Sequence, residues 1–250
     1  MATVGRPDPG VRRLTRVIGM PRLASKHPFV IRVTHWINVP VLSVMVWSGL
    51  LIYWAYDPYQ IRIAGVVIVK FFPQWFYEAL DLEFGLATGL AYHLAFAWLF
   101  TINGLVYVAY LLRSGEWRAL VPTRRSFREA WHVVLHDLRL RRQPLPPAKF
   151  NAAQRFAYTG VILMGAGSVL TGLAIWKPTQ FWWLTTAFGG YQAARLWHFA
   201  LMIGFLLFVL VHLAQVAKAG WNNFRAMVAG YEVVNPTEEE CDAEPAVPAR

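Results

Sequence analysis

Cysteine is almost absent from this sequence, and charge is scarce and unevenly placed. The 250 residues contain a single cysteine, Cys241, which excludes a disulfide framework or a cysteine-ligated metal cluster within the chain. Only 14 residues are acidic, against 24 lysines and arginines, and the net charge is +10. A hydrophobic fraction of 56% and a mean hydropathy of +0.37 exclude an ordinary soluble domain.

Four long stretches contain no charged residue at all. They cover residues 33–56, 84–112, 156–176 and 196–217. A membrane-spanning helix needs about 20 residues, because a helix rises about 1.5 Å per residue and the hydrocarbon layer is roughly 30 Å thick. The stretches do not alternate apolar and polar residues as barrel strands must. The sequence therefore predicts an all-α fold, an integral membrane four-helix bundle.

The basic residues are concentrated in alternate segments between these stretches. Twenty of the 24 lie before the first stretch, between the second and third, or after the fourth, and only four lie in the other two loops. By the positive-inside rule, both termini and the middle loop are predicted to be cytoplasmic. The positive charge is then a topology signal with attraction to membrane lipid, and it does not indicate a nucleic-acid partner.

Two tails flank the predicted membrane domain, residues 29–231. Residues 1–28 contain no apolar run of the kind found in signal peptides and are predicted to form a basic cytoplasmic arm. Residues 232–250 are predicted to form an acidic cytoplasmic tail. The loop at 57–83 contains RIAGVVIVKFF, which is too short to span and is predicted to lie at the interface or to contact a partner. The middle loop contains RRSFREAWHVVLHDLRLRR, a pattern that predicts an amphipathic helix on the inner leaflet.

Four of the seven histidines lie inside the predicted spans. His198 and His212 are fourteen residues apart, so on a helix they point about 40° apart and differ in height by roughly 21 Å. Under the predicted topology, His35 at the start of the first span and His212 at the end of the fourth both lie near the cytoplasmic surface. His93 and His198 both lie in the outer half, so the histidines form two level pairs.

Two imidazoles from facing helices at one depth are what a six-coordinate b-type haem requires. A neutral imidazole nitrogen is a good iron ligand, and ligation from both sides leaves no open position on the iron. The pattern predicts two b haems, an inner one held by His35 and His212 and an outer one held by His93 and His198. A single intramembrane histidine is more often a buried hydrogen-bonding residue or part of a proton path, but four that pair by depth favour haem.

Small and basic residues near the histidines suit the same interpretation. Gly49 follows His35 by fourteen residues and is predicted to lie at the level of the outer haem. Further glycines that could admit a macrocycle, or simply pack helices, are Gly89, Gly104, Gly172 and Gly204. Arg195 and Arg32 lie about one turn before His198 and His35, respectively. Each is predicted either to pair with a haem propionate or to anchor its helix at the interface.

The remaining histidines give weaker indications. His132 and His136 are four residues apart on the predicted surface helix, a spacing that can bind a metal ion. The glutamate of an HExxH motif is missing and the sequence suggests no third ligand, so both are interpreted as part of a solvated helix face. His27 gives no indication of function.

Several segments resemble one family of membrane cytochromes. The segments are IRVTHW, LAYHLAF, FNAAQRFAYTGVILMGAGSVLTGLAIW, RLWHFALMIGFLLFVLVH and MVAGY. They are similar to the di-haem cytochrome b subunits of respiratory nickel-iron hydrogenases and formate dehydrogenases, the bacterial cytochrome b561 group, over nearly the whole chain apart from its tails. The resemblance implies one haem-ligating histidine in each of the first two helices and two in the fourth. These positions are His35, His93, His198 and His212.

The resemblance also implies a function. Such subunits anchor a periplasmic hydrogenase, dehydrogenase or molybdenum oxidoreductase subunit and carry electrons through both haems between that partner and quinone on the cytoplasmic side. In formate dehydrogenase relatives the quinone site is near a motif similar to NAGQ, which here reads NAAQ. Asn151, Ala153 and Gln154 are therefore the implied quinone contacts, and Ala153 adds a methyl group. The two amides could hydrogen-bond a quinone carbonyl or cap the third helix.

Other functions stay open at this point. Some relatives oxidise superoxide and reduce quinone without a partner, and others carry electrons from quinol to a periplasmic reductase. The long outer loop and the MVAGY segment favour a partnered subunit. From a different class, a haem-free membrane anchor or a proton-conducting protein is also compatible with intramembrane histidines, and either would lack visible absorption.

Overall fold

Four long helices dominate the computed structural model, which describes residues 21–54, 59–82, 85–123, 125–137 and 152–234. In chain order they are α1 (Phe29–Tyr53), α3 (Leu86–Ser114), α6 (Ala152–Trp176) and α8 (Tyr191–Ala229). Each is long and apolar enough to cross a membrane. Many of their large apolar side chains are exposed, as expected for faces that contact lipid. The predicted helical membrane protein with four spans is confirmed.

The helix ends differ from the ends of the uncharged stretches. Helices α1, α3, α6 and α8 contain most of the predicted spans, which were residues 33–56, 84–112, 156–176 and 196–217, respectively. Arg32, Arg155 and Arg195 lie inside helices whose predicted starts fall after them. A long basic side chain at a helix end can extend to the membrane surface, so it does not stop the helix. Absence of charge therefore marks the apolar middle of each span better than its ends.

Helix α8 contains one break, at Gly220. The backbone there has φ of 80° and ψ of 176°, a conformation that is readily adopted only by glycine. Gly220 separates the long apolar part of α8 from a shorter helical segment, residues 221–229, which begins with the exposed Trp221. The predicted end of the fourth span at residue 217 lies three residues before this break.

The chain divides into two units. One consists of residues 33–212, and the other consists of residues up to 32 together with residues from 213 onward. In this second unit, β1 (Arg22–Ser25) pairs antiparallel with β4 (Tyr231–Val234). Part of the predicted basic arm is thus a strand paired with the chain that follows α8, an element that an all-α prediction does not contain.

A side-chain amide fastens strand β4 within the same unit. Asn222 donates from Nδ2 to the carbonyl oxygen of Val233 at 3.0 Å and accepts the N–H of Val233 on Oδ1, also at 3.0 Å. Arg225 donates to the same Oδ1 at 2.8 Å. These bonds satisfy backbone groups on the edge of a two-stranded sheet that would otherwise need water.

A second hairpin lies in the unit of residues 33–212, between α1 and α3. Strands β2 (Gln60–Ile63) and β3 (Val66–Lys70) pair antiparallel around Ala64 and Gly65, whose φ values are 50° and 82°. This is the segment that the sequence predicted to be interfacial or to contact a partner. Its exposed aliphatic residues are Ile61, Ile63, Val66, Val67, Ile68 and Val69. A short helix, α2 (Gln74–Ala79), follows the hairpin.

The remaining helices lie in the other two loops. Between α3 and α6 are α4 (Trp117–Leu120) and α5 (Ser126–Asp137), and α5 occupies the segment predicted to form an amphipathic helix. The rings of Phe127 and Phe156 are 4.7 Å apart, so α5 packs on the start of α6. Helix α7 (Trp182–Ala187) packs on the end of α6 through Leu184.

Candidate functional site

His35 of α1 and His212 of α8, here called the first pair, face each other within residues 33–212. Their ring centroids are 5.9 Å apart and their planes meet at 59°. The His212 ring stacks on Phe208, one turn earlier, at 6.0 Å and 5°. The His35 ring meets the edge of Trp36 at 5.3 Å. Aromatic neighbours therefore restrict the orientation of both imidazoles.

His93 of α3 and His198 of α8, here called the second pair, are arranged in the same way. Their ring centroids are 6.1 Å apart and their planes meet at 69°. Each ring contacts a hydroxyl group through Nδ1: Ser48 Oγ of α1 lies 2.9 Å from His93, and Thr171 Oγ1 of α6 lies 2.9 Å from His198. These two hydroxyls were not predicted from the sequence, although each directly precedes a glycine that was.

The spacing within both pairs suits one iron atom between two imidazoles. A metal–imidazole bond is about 2.0 Å long and the nitrogen lies about 1.1 Å from its ring centroid, so two axial imidazoles have centroids roughly 6 Å apart. The measured separations of 5.9 and 6.1 Å agree with this value. The four histidines thus fit two bis-imidazole haem sites, and their role as iron ligands stays a prediction.

Gly49 and Gly172 lie against the imidazoles of the second pair. A Cβ added to Gly49 would be 3.6 Å from Cε1 of His93, and one added to Gly172 would be 3.5 Å from Cε1 of His198. A methyl group would just touch each ring, and a longer side chain would compete with it for space. The structure therefore places Gly49 beside a candidate ligand, and its place at the level of an outer haem stays a prediction.

The other glycines named from the sequence have different surroundings. A Cβ at Gly89 would be 3.0 Å from the carbonyl oxygen of Ser48, and one at Gly204 would be 2.9 Å from the sulfur of Met164. These two glycines permit close helix packing, which was the alternative interpretation. A Cβ at Gly104 would have no neighbour within 4 Å, so space remains beside α3 at that position.

The two arginines named from the sequence make different contacts. Arg32 donates from Nη1 to the carbonyl oxygen of Val228 at 2.7 Å, and its guanidinium lies so close to Gly230 that an added Cβ would be 2.9 Å from Cζ. Arg195 donates to Oε1 of Gln192, one turn earlier on α8, at 3.3 Å. Arg32 is thus packed against the end of α8 and Gly230 within its unit. Pairing of either arginine with a propionate stays a prediction.

A cavity of about 460 Å³ lies beside Arg32 in the unit that contains both ends of the described chain. Its lining residues include Leu23, His27, Phe29, Arg32 and Tyr231. Burial, with smaller contributions from Lys26 and Arg32, lowers the pKa of His27, while Glu232 opposes the shift. His27 is therefore mainly neutral near pH 7.

The implied quinone motif and the weaker metal candidates are only partly described. Ala153 and Gln154 lie in the first turn of α6, and Gln154 is exposed, whereas Asn151 lies outside the described residues. His132 lies on α5, and nothing is described for the side chain of His136. Within the described ranges, no group of three or more His, Cys, Asp or Glu side chains could hold a metal ion.

An aromatic cluster joins the second pair to the exposed hairpin. Phe199 directly follows His198, and its ring centroid is 4.5 Å from that of Tyr59 and 5.5 Å from that of Tyr53. The Tyr53 hydroxyl accepts the N–H of Tyr59 at 2.8 Å and donates to the carbonyl of Phe71 at 3.1 Å. The hairpin ends are therefore fastened beside a candidate ligand, which the sequence analysis did not predict.

Four membrane-spanning helices that present two facing imidazole pairs define a multi-pass membrane protein of the cytochrome b type. A family model described as prokaryotic cytochrome b561 matches residues 26–230. The chain belongs to this family, whose members are integral membrane haem proteins of electron transport. The resemblance noted from the sequence is confirmed, as is the membrane location.

A relative extends the comparison. It is a putative protein-methionine-sulfoxide reductase subunit, YedZ1, from Azospira oryzae, and it is 35% identical over 206 residues. The match covers 82% of this chain and 96% of the relative. Because nearly the whole relative is matched, the two chains are comparable along the full membrane domain.

Proposed function

We propose that this chain is a membrane cytochrome b subunit that carries electrons between the quinone pool and a periplasmic oxidoreductase through two haems b. The observation that carries this proposal is the presence of two facing imidazole pairs. Both pairs use α8, and their ligands on that helix, His198 and His212, are fourteen residues or about 21 Å apart. Two such sites would divide the distance that electrons cross in the membrane into shorter transfer steps.

The residues of the chain have defined tasks in this function. Bound haem b supplies a reversible one-electron couple. Each imidazole pair would supply two nitrogen ligands to a bound haem, which would leave no position for oxygen. The long helices hold the pairs in apolar surroundings, and the contacts with Phe208, Ser48 and Thr171 hold the rings in place.

The similarity to a reductase subunit favours one direction of flow. We assign quinol as the donor and a periplasmic partner that reduces methionine sulfoxide in proteins as the acceptor. Quinol would lose two electrons and two protons to give quinone, and the sulfoxide would take up two of each to give a thioether and water. The distribution of basic residues supports a cytoplasmic first pair and a periplasmic second pair. Quinol would then bind near the first pair, at Asn151, Ala153 and Gln154.

The hairpin of β2 and β3 supports contact with a partner close to the second pair. Both strands expose aliphatic side chains on both faces, which an isolated two-stranded hairpin cannot stabilise in water. Its ends are fastened to Phe199, the residue after His198, through the rings of Tyr53 and Tyr59. A partner bound at the hairpin would therefore lie next to the haem that exchanges electrons with it.

Haem counting tests the proposal first. We expect a reduced-minus-oxidised visible spectrum of a b-type cytochrome and about two haems per chain in a pyridine haemochrome assay. Replacing His93 or His198 with alanine should remove one haem, and replacing His35 or His212 should remove the other. His132→Ala, on the loop helix α5, is the matched control and should retain both. Retention of both haems in all four membrane variants would contradict the ligand assignment.

Reduction by a soluble quinol analogue tests the direction of flow. The wild-type protein should be reduced by the quinol, and electrons should then pass to a purified methionine-sulfoxide reductase partner. His212→Ala should abolish reduction of the remaining haem by quinol, whereas His198→Ala should retain reduction of the first haem but lose transfer to the partner. The opposite result for the two variants would reverse the assigned order of the pairs.

A further inference from the structure

Two dipeptides with the same arrangement lie beside the second pair. Ser48 and Gly49 of α1 contact His93, and Thr171 and Gly172 of α6 contact His198. In both cases the hydroxyl meets Nδ1 of the imidazole and the glycine lies against Cε1. The ligands are carried by α3 and α8, so each hydroxyl acts on a histidine of another helix.

Each hydroxyl also has a carbonyl oxygen of its own helix within hydrogen-bond distance. Thr171 Oγ1 lies 2.7 Å from the carbonyl oxygen of Gly167, and Ser48 Oγ lies 3.2 Å from the carbonyl oxygen of Met45. A hydroxyl group has one proton to donate and can also accept. A hydroxyl that gives this proton to the carbonyl of its own helix is an acceptor for the Nδ1–H of the histidine. The lone pair of the imidazole is then on Nε2.

Burial makes this arrangement effective. Ser48 and Thr171 each have 0% relative exposure. A buried hydroxyl must find its partners within the protein, because an unsatisfied polar group there costs free energy. Rotation of either hydroxyl away from its imidazole would break its hydrogen bond to Nδ1. The pair of bonds therefore favours one tautomer and one ring orientation for each histidine.

We propose that Ser48 and Thr171 are positioning residues that hold His93 and His198 as Nε2 ligands and lower the midpoint potential of the haem they share. The proposal rests on haem binding as proposed above. An acceptor at Nδ1 raises the basicity of an imidazole ligand. A more basic ligand favours ferric over ferrous iron, so the potential falls. At the first pair, the His212 ring stacks on Phe208, so its environment differs.

Variants that remove only the hydroxyl test this role. Thr171→Val keeps the shape of the side chain, Ser48→Ala makes a smaller change, and Thr171→Ser restores the hydroxyl. Matched controls are Ser43→Ala and Thr101→Val. These hydroxyls also donate to a carbonyl of their own helix, at 2.8 and 2.7 Å. The readouts are haem content, a redox titration that resolves both haems, and the EPR spectrum of the ferric protein.

We expect Thr171→Val and Ser48→Ala to raise the midpoint potential of the same haem and to leave the other unchanged. Their EPR signal for that haem should move as well, because the angle between the two imidazole planes affects the splitting of the iron d orbitals. Thr171→Ser should return both values to those of the wild type, and the controls should not differ from it. A side chain that only fills space would not produce this rescue.

Several outcomes would overturn the proposal. Both haems at wild-type potentials in Thr171→Val and Ser48→Ala would do so, as would equal shifts in Thr171→Ser and Thr171→Val. If Thr171→Val loses a haem, the midpoint potential of that haem is measured in Ser48→Ala instead. An unchanged potential in Ser48→Ala would contradict the role of the hydroxyls as positioning residues. A wild-type protein that binds no haem would instead contradict the proposed function, so the two failures are distinguishable.

Discussion

The two imidazole pairs have nearly the same spacing but different surroundings. Ring centroids are 5.9 Å apart in the first pair and 6.1 Å apart in the second. The first pair lies among aromatic rings, those of Phe208 and Trp36, whereas hydroxyls contact both rings of the second. The same facing of two imidazoles thus occurs twice along α8, and the neighbouring residues give each pair different surroundings.

The turn that carries His35 differs in another respect. Asn103 of α3 is buried and donates from Nδ2 to the carbonyl oxygen of Thr34 at 2.9 Å and to Oδ1 of Asn38 at 2.8 Å. Pro40 lies in the same helix and lacks the N–H that would bond to the carbonyl four residues earlier. An amide from another helix thus fastens the backbone beside His35, whereas at the second pair hydroxyls contact the imidazoles themselves.

The largest expected effect comes from substituting a glycine beside the second pair, which should remove one haem and retain the other. Gly172→Leu should displace His198, because even a methyl group there would touch the ring, and the protein should lose most of one haem while keeping the other. Gly49→Leu should act on the same haem. Haem content by pyridine haemochrome checks both variants. Ala91→Leu, at an exposed position of α3, is the control, and an equal loss in the control would contradict the argument.

The next largest effect is a difference in stability between substitutions of Arg32 and Arg195. Arg32→Gln removes a charge-assisted bond to the carbonyl of Val228 and should lower the free energy of unfolding by about 1 kcal/mol. Arg195→Gln should change it much less, because Arg195 makes a long bond to Gln192 on the surface of α8. Thermal unfolding followed by circular dichroism compares them. Equal destabilisation by both substitutions would show that the bond to Val228 contributes nothing specific.

A smaller effect is expected from substituting Asn103, whose amide bonds to the turn that carries His35 of the first pair. Asn103→Leu removes a donor shared by two acceptors on α1, and interhelical bonds of this kind in membrane proteins contribute about 0.6 to 1.7 kcal/mol. We expect a small loss of thermal stability and faster loss of the haem bound by His35. Ile102→Leu, at the exposed neighbouring position, is the control. Selective loss of the other haem would contradict this placement of Asn103.

The smallest effect is a pH dependence that involves His27, in the unit that does not contain the two pairs. Burial lowers the pKa of His27 in the folded protein, with Lys26 and Arg32 acting in the same direction and Glu232 against it. In the unfolded chain, His27 has its ordinary pKa of 6.5, so the unfolded chain binds a proton at this residue more readily than the folded protein does. The free energy of unfolding should therefore fall as the pH falls from 7 to 5. His27→Gln should reduce that dependence. An unchanged pH dependence in the variant would show that other groups cause it.

Several features were predictable from the sequence because each depends on one physical quantity that can be counted along the chain. The thickness of the hydrocarbon layer requires long uncharged helices, and four were identified. The rise of a helix gives the height difference between His198 and His212, and the alternation of basic loops then assigns a depth to His35 and His93. The structure brings the rings of these histidines together in the two expected combinations.

Other features could not be predicted because they depend on contacts between distant segments. Ser48 contacts a histidine 45 residues later, and Thr171 contacts one 27 residues later. A serine or threonine inside an apolar helix commonly bonds its own backbone, so its type alone does not indicate a ligand contact. The β2–β3 hairpin was missed because its segment was compared only with the length of a membrane span.

The sequence by itself determined that this protein spans a membrane four times and carries two histidine pairs, because the cost of burying charge in lipid and the regular rise of a helix leave little alternative. Only the tertiary structure decided which hydroxyl, glycine or aromatic ring lies beside each imidazole. Those contacts depend on the rotation and register of each helix against its neighbours, which close packing sets and which no pattern along a single chain records.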